Sequence, residues 1–110
     1  MLEPDEHIFH VATREDWQAA QRSGAYRTST RGRSLDDEGF IHASRRGQVD
    51  AVRRNFYGDE SEPLVLLEID PARLDVDLRL EVPAGADEAY PHIYGPLPVT
   101  AVVAVHELPD

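Results

Sequence analysis

Three of the five histidines lie in apolar or small-residue segments of the sequence, where their side chains are expected to be partly buried. They are His10 in IFHVA, His42 in FIHAS and His92 in PHIYG. A neutral imidazole offers a ligand one hydrogen-bond donor and one acceptor. A single histidine in such a segment is more often a hydrogen-bonded core residue than a catalytic one. Because three occur in one short chain, each near the end of an expected strand, we predict that they converge on one catalytic cleft.

A hydroxyl group lies close in sequence to each of these histidines. The hydroxyl residues are Thr13, Ser44 and Tyr94, and they are suited to contact ribose or phosphate oxygens. The segment YPHIYGPLP adds Tyr90, so that two flat aromatic faces flank His92. A rigid turn before an edge strand explains the same proline-rich segment, and both interpretations stay open.

All eleven basic residues are arginines, and the net charge is −10. Residues 1–54 carry nine arginines and nine acids, whereas residues 55–110 carry two arginines and twelve acids. A phosphate-binding lip is one interpretation, since arginine binds phosphate through a planar fork; its members would be Arg27, Arg31, Arg33, Arg45 and Arg46. Of these, Arg45 is the predicted ligand contact. A genomic bias toward arginine codons is the alternative.

The overall charge also limits the partners that we expect. A net charge of −10 repels a nucleic-acid backbone, so a nucleotide-like small molecule is favoured over nucleic acid other than an RNA end. The sequence contains no cysteine, which excludes disulfides and thiolate chemistry. It also lacks G-x-G-x-x-G, Walker-type, G-x-S-x-G and H-E-x-x-H motifs. Three histidines from separate strands are still compatible with zinc, although no closely spaced pair supports it, and we predict no metal.

Secondary structure is predicted from patterning. Residues 7–12 alternate as a strand, and Thr13 and Gly24 have the residue types that begin and end a helix. The polar residues 27–38 predict an irregular, mobile surface loop that acts as a lid. Residues 39–44 predict a short strand, after which Ser44 caps a second helix with Val49, Val52 and Phe56 on its apolar stripe.

The second half of the chain is expected to consist mainly of strands. The apolar run 64–70 is typical of a buried central strand, residues 74–82 alternate, and residues 100–108 predict a closing strand. Two N-terminal helices followed by strands predict a single α+β domain over residues 1–110 rather than a doubly wound parallel sheet. The predicted core residues are Phe9, Trp17, Val52, Phe56, Leu66 and Ile69. No apolar run is long enough to span a membrane and no basic-then-apolar leader begins the chain, so we expect no membrane contact and a cytoplasmic location.

Several segments together resemble the bacterial family known as domain of unknown function 952. These are HIFHVAT, Trp17, Gly24, Tyr26, GFIHAS with Gln48, LVLLEID, Arg79-Leu80-Glu81 and PHIYGPLP. The resemblance runs from about residue 7 to residue 108. That family is similar in turn to the ADP-ribosyltransferase-like fold, in its RNA 2′-phosphotransferase branch. His10-Val-Ala-Thr13 resembles that branch's first-strand His-x-Thr, offset by one residue, and His42-Ala-Ser44 matches its second-strand motif.

This resemblance implies small antiparallel sheets, with the two N-terminal helices, around a central cleft that holds NAD. In that arrangement His10 would contact the nicotinamide-side ribose, and His42 the ribose or the leaving nicotinamide. His92 would lie near the third catalytic position, and Tyr94 would stack on the ring. Three hypotheses about function follow: a transferase that moves ADP-ribose or a phosphate, a non-enzymatic module that binds a ligand or a partner, and a three-histidine metal-dependent hydrolase. The oligomeric state is left open.

Overall fold

The computed structural model describes residues 2–30 and 32–108 as short strands and helices. The strands are β1 (Ile8–Thr13), β2 (Ala25–Tyr26), β3 (Thr28–Thr30), β4 (Arg33–Ser34), β5 (Ile41–His42), β6 (Leu64–Ile69), β7 (Asp77–Glu81), β8 (Tyr90–Tyr94), β9 (Leu97–Pro98) and β10 (Val102–Leu108). The α-helices are α1 (Arg14–Ser23), α2 (Leu35–Glu38) and α3 (Val49–Tyr57), and 3-10 turns cover Arg46–Gln48, Pro71–Arg73 and Val99–Ala101. None of the helices in the described parts of the chain has the length and apolarity to cross a membrane.

Two three-stranded sheets organise the fold, with strand orders β1-β6-β10 and β5-β8-β7. Two smaller pairs, β2-β9 and β3-β4, complete the paired strands of the described residues, and every pair is antiparallel. The prediction of a small α+β fold without a parallel doubly wound sheet is therefore confirmed. The apolar run forms the central strand β6, as predicted, because both of its faces pack against core residues.

The larger core cluster lies between the sheets and α1, and the smaller one lies between β1, β6 and α3. Alternating residues of β1 enter both clusters: Ile8 and Ala12 face the larger, whereas Phe9 and Val11 face the smaller. Helix α1 begins and ends as predicted. The Thr13 hydroxyl accepts a hydrogen bond from the Asp16 amide, and Gly24 ends the helix with a φ of 94°.

The second long helix differs from the prediction. Ser44 does not cap it; the Ser44 backbone instead pairs with Phe9, and α3 begins at Val49 after a 3-10 turn. Within α3 the buried residues are Val49 and Tyr57. Phe56 lies on a different face of the helix and is 51% exposed. The expected burial of Phe56 is therefore wrong. Phe9, Trp17 and Ile69 are buried as predicted, while Val52 and Leu66 are half-buried.

Residues 27–38 do not form the irregular loop that their polarity suggested. They contain β3, β4 and α2, and Ser29 and Leu35 are buried. A capping box begins α2: the Ser34 side chain accepts a hydrogen bond from the Asp37 amide, and the Asp37 side chain accepts one from the Ser34 amide. These bonds satisfy backbone N–H groups that have no partner within the first turn of a helix. Local hydrogen bonds and one buried leucine thus order this segment despite its composition.

Candidate functional site: a cavity flanked by histidines

His42 and His92 are direct neighbours on adjacent antiparallel strands. They are paired in the register of β5 and β8, which places both side chains on one face of the sheet. Their ring centroids are 5.3 Å apart, and the rings meet edge to face. The Phe40 ring stacks on His92 at a centroid distance of 4.1 Å and meets the edge of His42 at 4.8 Å. Phe40 therefore covers this pair from one side.

His10 approaches the pair from β1, and its imidazole is fully engaged by protein groups. Its Nδ1 is hydrogen-bonded to the backbone carbonyl of His42, and its Nε2 lies 2.9 Å from the Tyr26 hydroxyl. Burial lowers the pKa of His10 to about 4, so the ring is neutral at neutral pH. In that form Nδ1–H donates to the carbonyl and Nε2 accepts from Tyr26. His10 thus holds β5 in place beside β1.

His42 is the most accessible of the three histidines. Its pKa is lowered by burial and by the neighbouring His92, and raised in part by Glu38, whose Oε1 lies 3.6 Å from His42 Nε2. The lowered pKa keeps the imidazole neutral at pH 7. A neutral, half-buried imidazole with a nearby carboxylate is able to exchange hydrogen bonds with a ligand.

His92 is buried and belongs to a network with two residues of its own sheet. Its Nδ1 lies 2.8 Å from Glu81 Oε1, and the Tyr94 hydroxyl donates to the same oxygen. The hydrogen bonds from Tyr94 and then His92 lower the pKa of Glu81. Nδ1–H donating to this carboxylate would leave Nε2 as the acceptor of a neutral ring, and Nε2 has no hydrogen-bond partner within the described residues.

A cavity of about 430 Å³ opens beside His42. That volume lies within the usual range for small-molecule sites. Its wall combines polar groups, aromatic rings and a loop of small residues: His10, Val11, Ser29, Thr30, His42, Ala43, Ser44, Val52, Asn55, Phe56, Tyr57, Pro83, Ala84, Gly85, Ala86, Asp87 and Tyr90. Among residues 2–30 and 32–108, Asp87 is the single carboxylate in this wall, and no arginine joins it.

The predicted ligand-binding residues have different positions relative to this cavity. His10, His42 and Ser44 line it, whereas His92 lies behind His42 and Phe40. The Thr13 hydroxyl is used as the helix cap, and the Tyr94 hydroxyl is used by Glu81. The structure thus brings the three histidines together and places Thr13 and Tyr94 outside the wall of this cavity, and their ligand contacts stay predictions.

The arginine lip also stays a prediction, and its described members are engaged by carboxylates or a ring away from the cavity wall. Arg45 binds Glu6 through two nitrogens, at 2.7 Å and 2.9 Å. Arg27 pairs with Asp36, Arg33 pairs with Glu38, and Arg46 lies 4.8 Å from the centroid of the Phe9 ring. Arg31 lies outside the described residues. Nearby acids therefore neutralise most of the positive charge that the sequence suggested for a phosphate.

The prediction from sequence missed part of the cavity wall. Asn55 and Phe56 line the cavity from α3, and residues 83–87 form the opposite side of the wall. Gln48 holds this loop: it is buried, and its amide nitrogen donates to Glu88 at 2.8 Å and to the Ala89 carbonyl at 2.9 Å. The glycine at position 85, with a φ of 82°, is the local signal of a turn there.

In the parts of the chain that are described, no group of three or more histidine or acidic side chains is arranged to hold a metal ion.

The family model described as "Protein of unknown function (DUF952)" matches residues 11–105, so the chain belongs to that family. No curated protein matches the sequence significantly.

Solved structures of protein CC0527 from Caulobacter crescentus are similar to this chain. The crystal structure has 29% sequence identity and a TM-score of 0.80, and the match covers 94% of this chain and 86% of that one. The solution NMR structure has 29% identity and a TM-score of 0.74, with 93% and 84% covered. The small α+β architecture is therefore shared with a solved relative.

Proposed function

We propose that this protein is an ADP-ribosyltransferase-like domain that binds a nucleotide-like small molecule, such as NAD, in the cavity beside His42. The observation that carries the proposal is the half-buried neutral imidazole of His42 at a cavity of about 430 Å³ that Ser44 also lines. Imidazole and hydroxyl groups at one wall suit the adjacent hydroxyls of a ribose. The aromatic side chains in the same wall suit a flat ring.

The phosphates of such a ligand are expected to lie toward solvent. The wall contains Asp87 and no arginine among residues 2–30 and 32–108, so this described part of the cavity offers no arginine to a phosphate. Recognition then comes from the ring and the ribose rather than from charge pairing. This differs from the phosphate-centred site that the arginine content of the sequence suggested.

Isothermal titration calorimetry with ADP-ribose, NAD⁺ and adenosine tests the proposal. Binding should be lost in His42→Ala and retained in His106→Ala, because His106 is half-exposed on β10, outside the cavity wall, and is bonded to Glu68. Stabilisation of the folded state provides a second readout, since a ligand at 100 times its Kd adds about 2.7 kcal/mol. Failure of all three compounds to bind would contradict the proposal.

A transfer reaction is a second candidate, and one observation favours it. His92 carries a buried acceptor nitrogen with no partner in the described chain, and Glu81 orients the other ring nitrogen. This carboxylate–imidazole arrangement is typical of an oriented imidazole, and because His92 does not line the cavity it would act on a ligand there through the neighbouring His42. Release of nicotinamide from NAD⁺ would support transfer, and it should disappear in His92→Gln. Binding of NAD⁺ without nicotinamide release would favour the non-enzymatic module.

A further inference from the structure

Glu38, the last residue of α2, lies beside the cavity-lining imidazole of His42. Its Oε1 is 3.6 Å from His42 Nε2 and 3.3 Å from Arg33 Nε. The side chains of Glu38 and His42 are 25% and 34% exposed, so water screens their contact only in part. Among the described residues Glu38 does not belong to the cavity wall, and its carboxylate therefore reaches His42 from outside the cavity.

The short helix α2 fixes the place of Glu38 relative to β5. Its capping box begins the helix, and the buried Leu35 anchors it to the core. Gly39 ends the helix with a φ of 87°, a conformation that favours glycine, and the chain then turns into β5. Glu38 and His42 thus belong to different elements, and the turn between them brings their side chains together.

From this geometry we infer that Glu38 is a positioning residue that fixes the tautomer of His42. A carboxylate beside Nε2 favours the neutral ring that carries its proton on Nε2, and Nδ1 is then the hydrogen-bond acceptor. The ligand group that His42 binds is accordingly a donor, such as a ribose hydroxyl. A separation of 3.6 Å is longer than a hydrogen bond, and such contacts often shorten when a ligand binds. The inference rests on the proposed function, because it specifies how the same imidazole meets the ligand.

Several titratable groups surround His42, and their effects on its pKa differ in sign. Burial and the neighbouring His92 lower this pKa, whereas Glu38 is the described group that raises it. His10 is neutral at pH 7 and bonds to the His42 backbone carbonyl, and Arg33 shares the Glu38 carboxylate. Loss of the charge of Glu38 should therefore lower the pKa of His42 further.

NMR of the two ring nitrogens of His42 tests this role without a ligand. In long-range ¹H–¹⁵N spectra of wild type at neutral pH, the proton should reside mainly on Nε2. In Glu38→Gln this preference should weaken, and His42 should titrate at a lower pH than in wild type. Asp36→Asn is the matched control, because it removes the same charge from the same helix at an exposed residue that pairs with Arg27. It should leave both readouts nearly unchanged.

Three NMR results would overturn the inference: a proton mainly on Nδ1 in wild type, an unchanged pKa of His42 in Glu38→Gln, or equal shifts in Glu38→Gln and Asp36→Asn. The tautomer of wild type decides the matter if Glu38→Gln does not fold. Calorimetry with ADP-ribose adds a binding readout, in which Glu38→Gln should bind roughly three- to tenfold more weakly than wild type and Asp36→Asn equally well. Equal affinity in wild type and Glu38→Gln would also contradict the role of Glu38. If ADP-ribose does not bind wild type, the proposed function fails, and the NMR readouts still decide whether Glu38 positions His42.

Discussion

The imidazoles of His42 and His92 are cross-strand neighbours, yet they have opposite surroundings. His42 is half-buried and lines the cavity, whereas His92 is buried beneath Phe40 and fixed by Glu81. Their ring centroids are only 5.3 Å apart, and the neighbouring His92 adds to burial in lowering the pKa of His42. The pair therefore joins a side chain that lines the cavity to an internal one, and His10 is hydrogen-bonded to the backbone carbonyl of His42.

His10 should make the stability of the protein depend on pH. Its pKa is about 4 in the folded state, compared with an ordinary value of 6.5 for histidine, so the unfolded chain binds more protons between these values. Stability should be complete above pH 6.5 and should fall as the pH decreases toward 4. The expected loss from this group is about 3 kcal/mol.

Urea denaturation of wild type and His10→Gln at pH 7 and pH 4.5 measures this contribution. His10→Gln should be less stable at pH 7, but its free energy of unfolding should change less between the two pH values. A change as large as that of wild type would mean that another group dominates this window.

Phe56 and Tyr57 should differ in their contributions to stability, although they are adjacent. Tyr57→Ala removes a buried ring and should cost about 3–5 kcal/mol, as truncations of core aromatic residues do. Phe56→Ala removes a half-exposed ring and should cost less than about 1 kcal/mol. Chemical denaturation of both variants makes the comparison. The opposite order would indicate that Phe56 belongs to the core and would contradict its observed exposure.

Substitutions of Thr13 and Ser44 should have different effects, the first on stability and the second on ligand binding. Thr13→Ala removes the N-cap of α1 and should cost about 1 kcal/mol without changing the affinity for ADP-ribose. Ser44→Ala removes a hydroxyl from the cavity wall and should weaken that affinity. Calorimetry and urea denaturation of the same two variants provide both readouts. Weaker binding in Thr13→Ala would restore the ligand contact that was predicted from sequence.

Gln48 should control the mobility of residues 83–89, a segment that includes the cavity wall at residues 83–87. Its side chain links the Arg45 amide to Glu88 and to the Ala89 carbonyl, so Gln48→Ala releases the loop from its anchor. Hydrogen exchange should then accelerate in residues 83–89, with little change in β6. Unchanged exchange in this loop would show that Gln48 is not its anchor.

The sequence predicted those elements whose causes are local. The apolar run predicted β6, and Thr13 and Gly24 predicted the two ends of α1. Burial on both faces of a strand and capping of a helix each favour particular residue types, so both can be recognised in the sequence. Residues 27–38 were mispredicted because two short strand pairings and a buried leucine order a polar segment. Tertiary contacts of this kind are not visible in a periodic pattern.

The candidate site was predicted less completely than the fold. The apolar surroundings of the histidines pointed to segments that do meet in space. Thr13 and Arg45 have partners within the protein, the Asp16 amide and Glu6, which the sequence did not reveal, and their ligand contacts stay predictions. The wall of residues 83–87 carries no chemical motif, and only the folded chain brings it opposite α3. Its contribution could not be predicted from residue types.

The most direct test of the proposed binding site is a map of amide chemical-shift changes in ¹H–¹⁵N NMR spectra during titration with ADP-ribose. We predict that the largest changes occur at Ser44, Asn55 and Gly85, three residues from different segments that line the cavity. Amides of β10, such as those of Val103 and Val105, should shift little, because neither residue lines the cavity. Changes concentrated on β10, or none at millimolar ligand, would contradict the account.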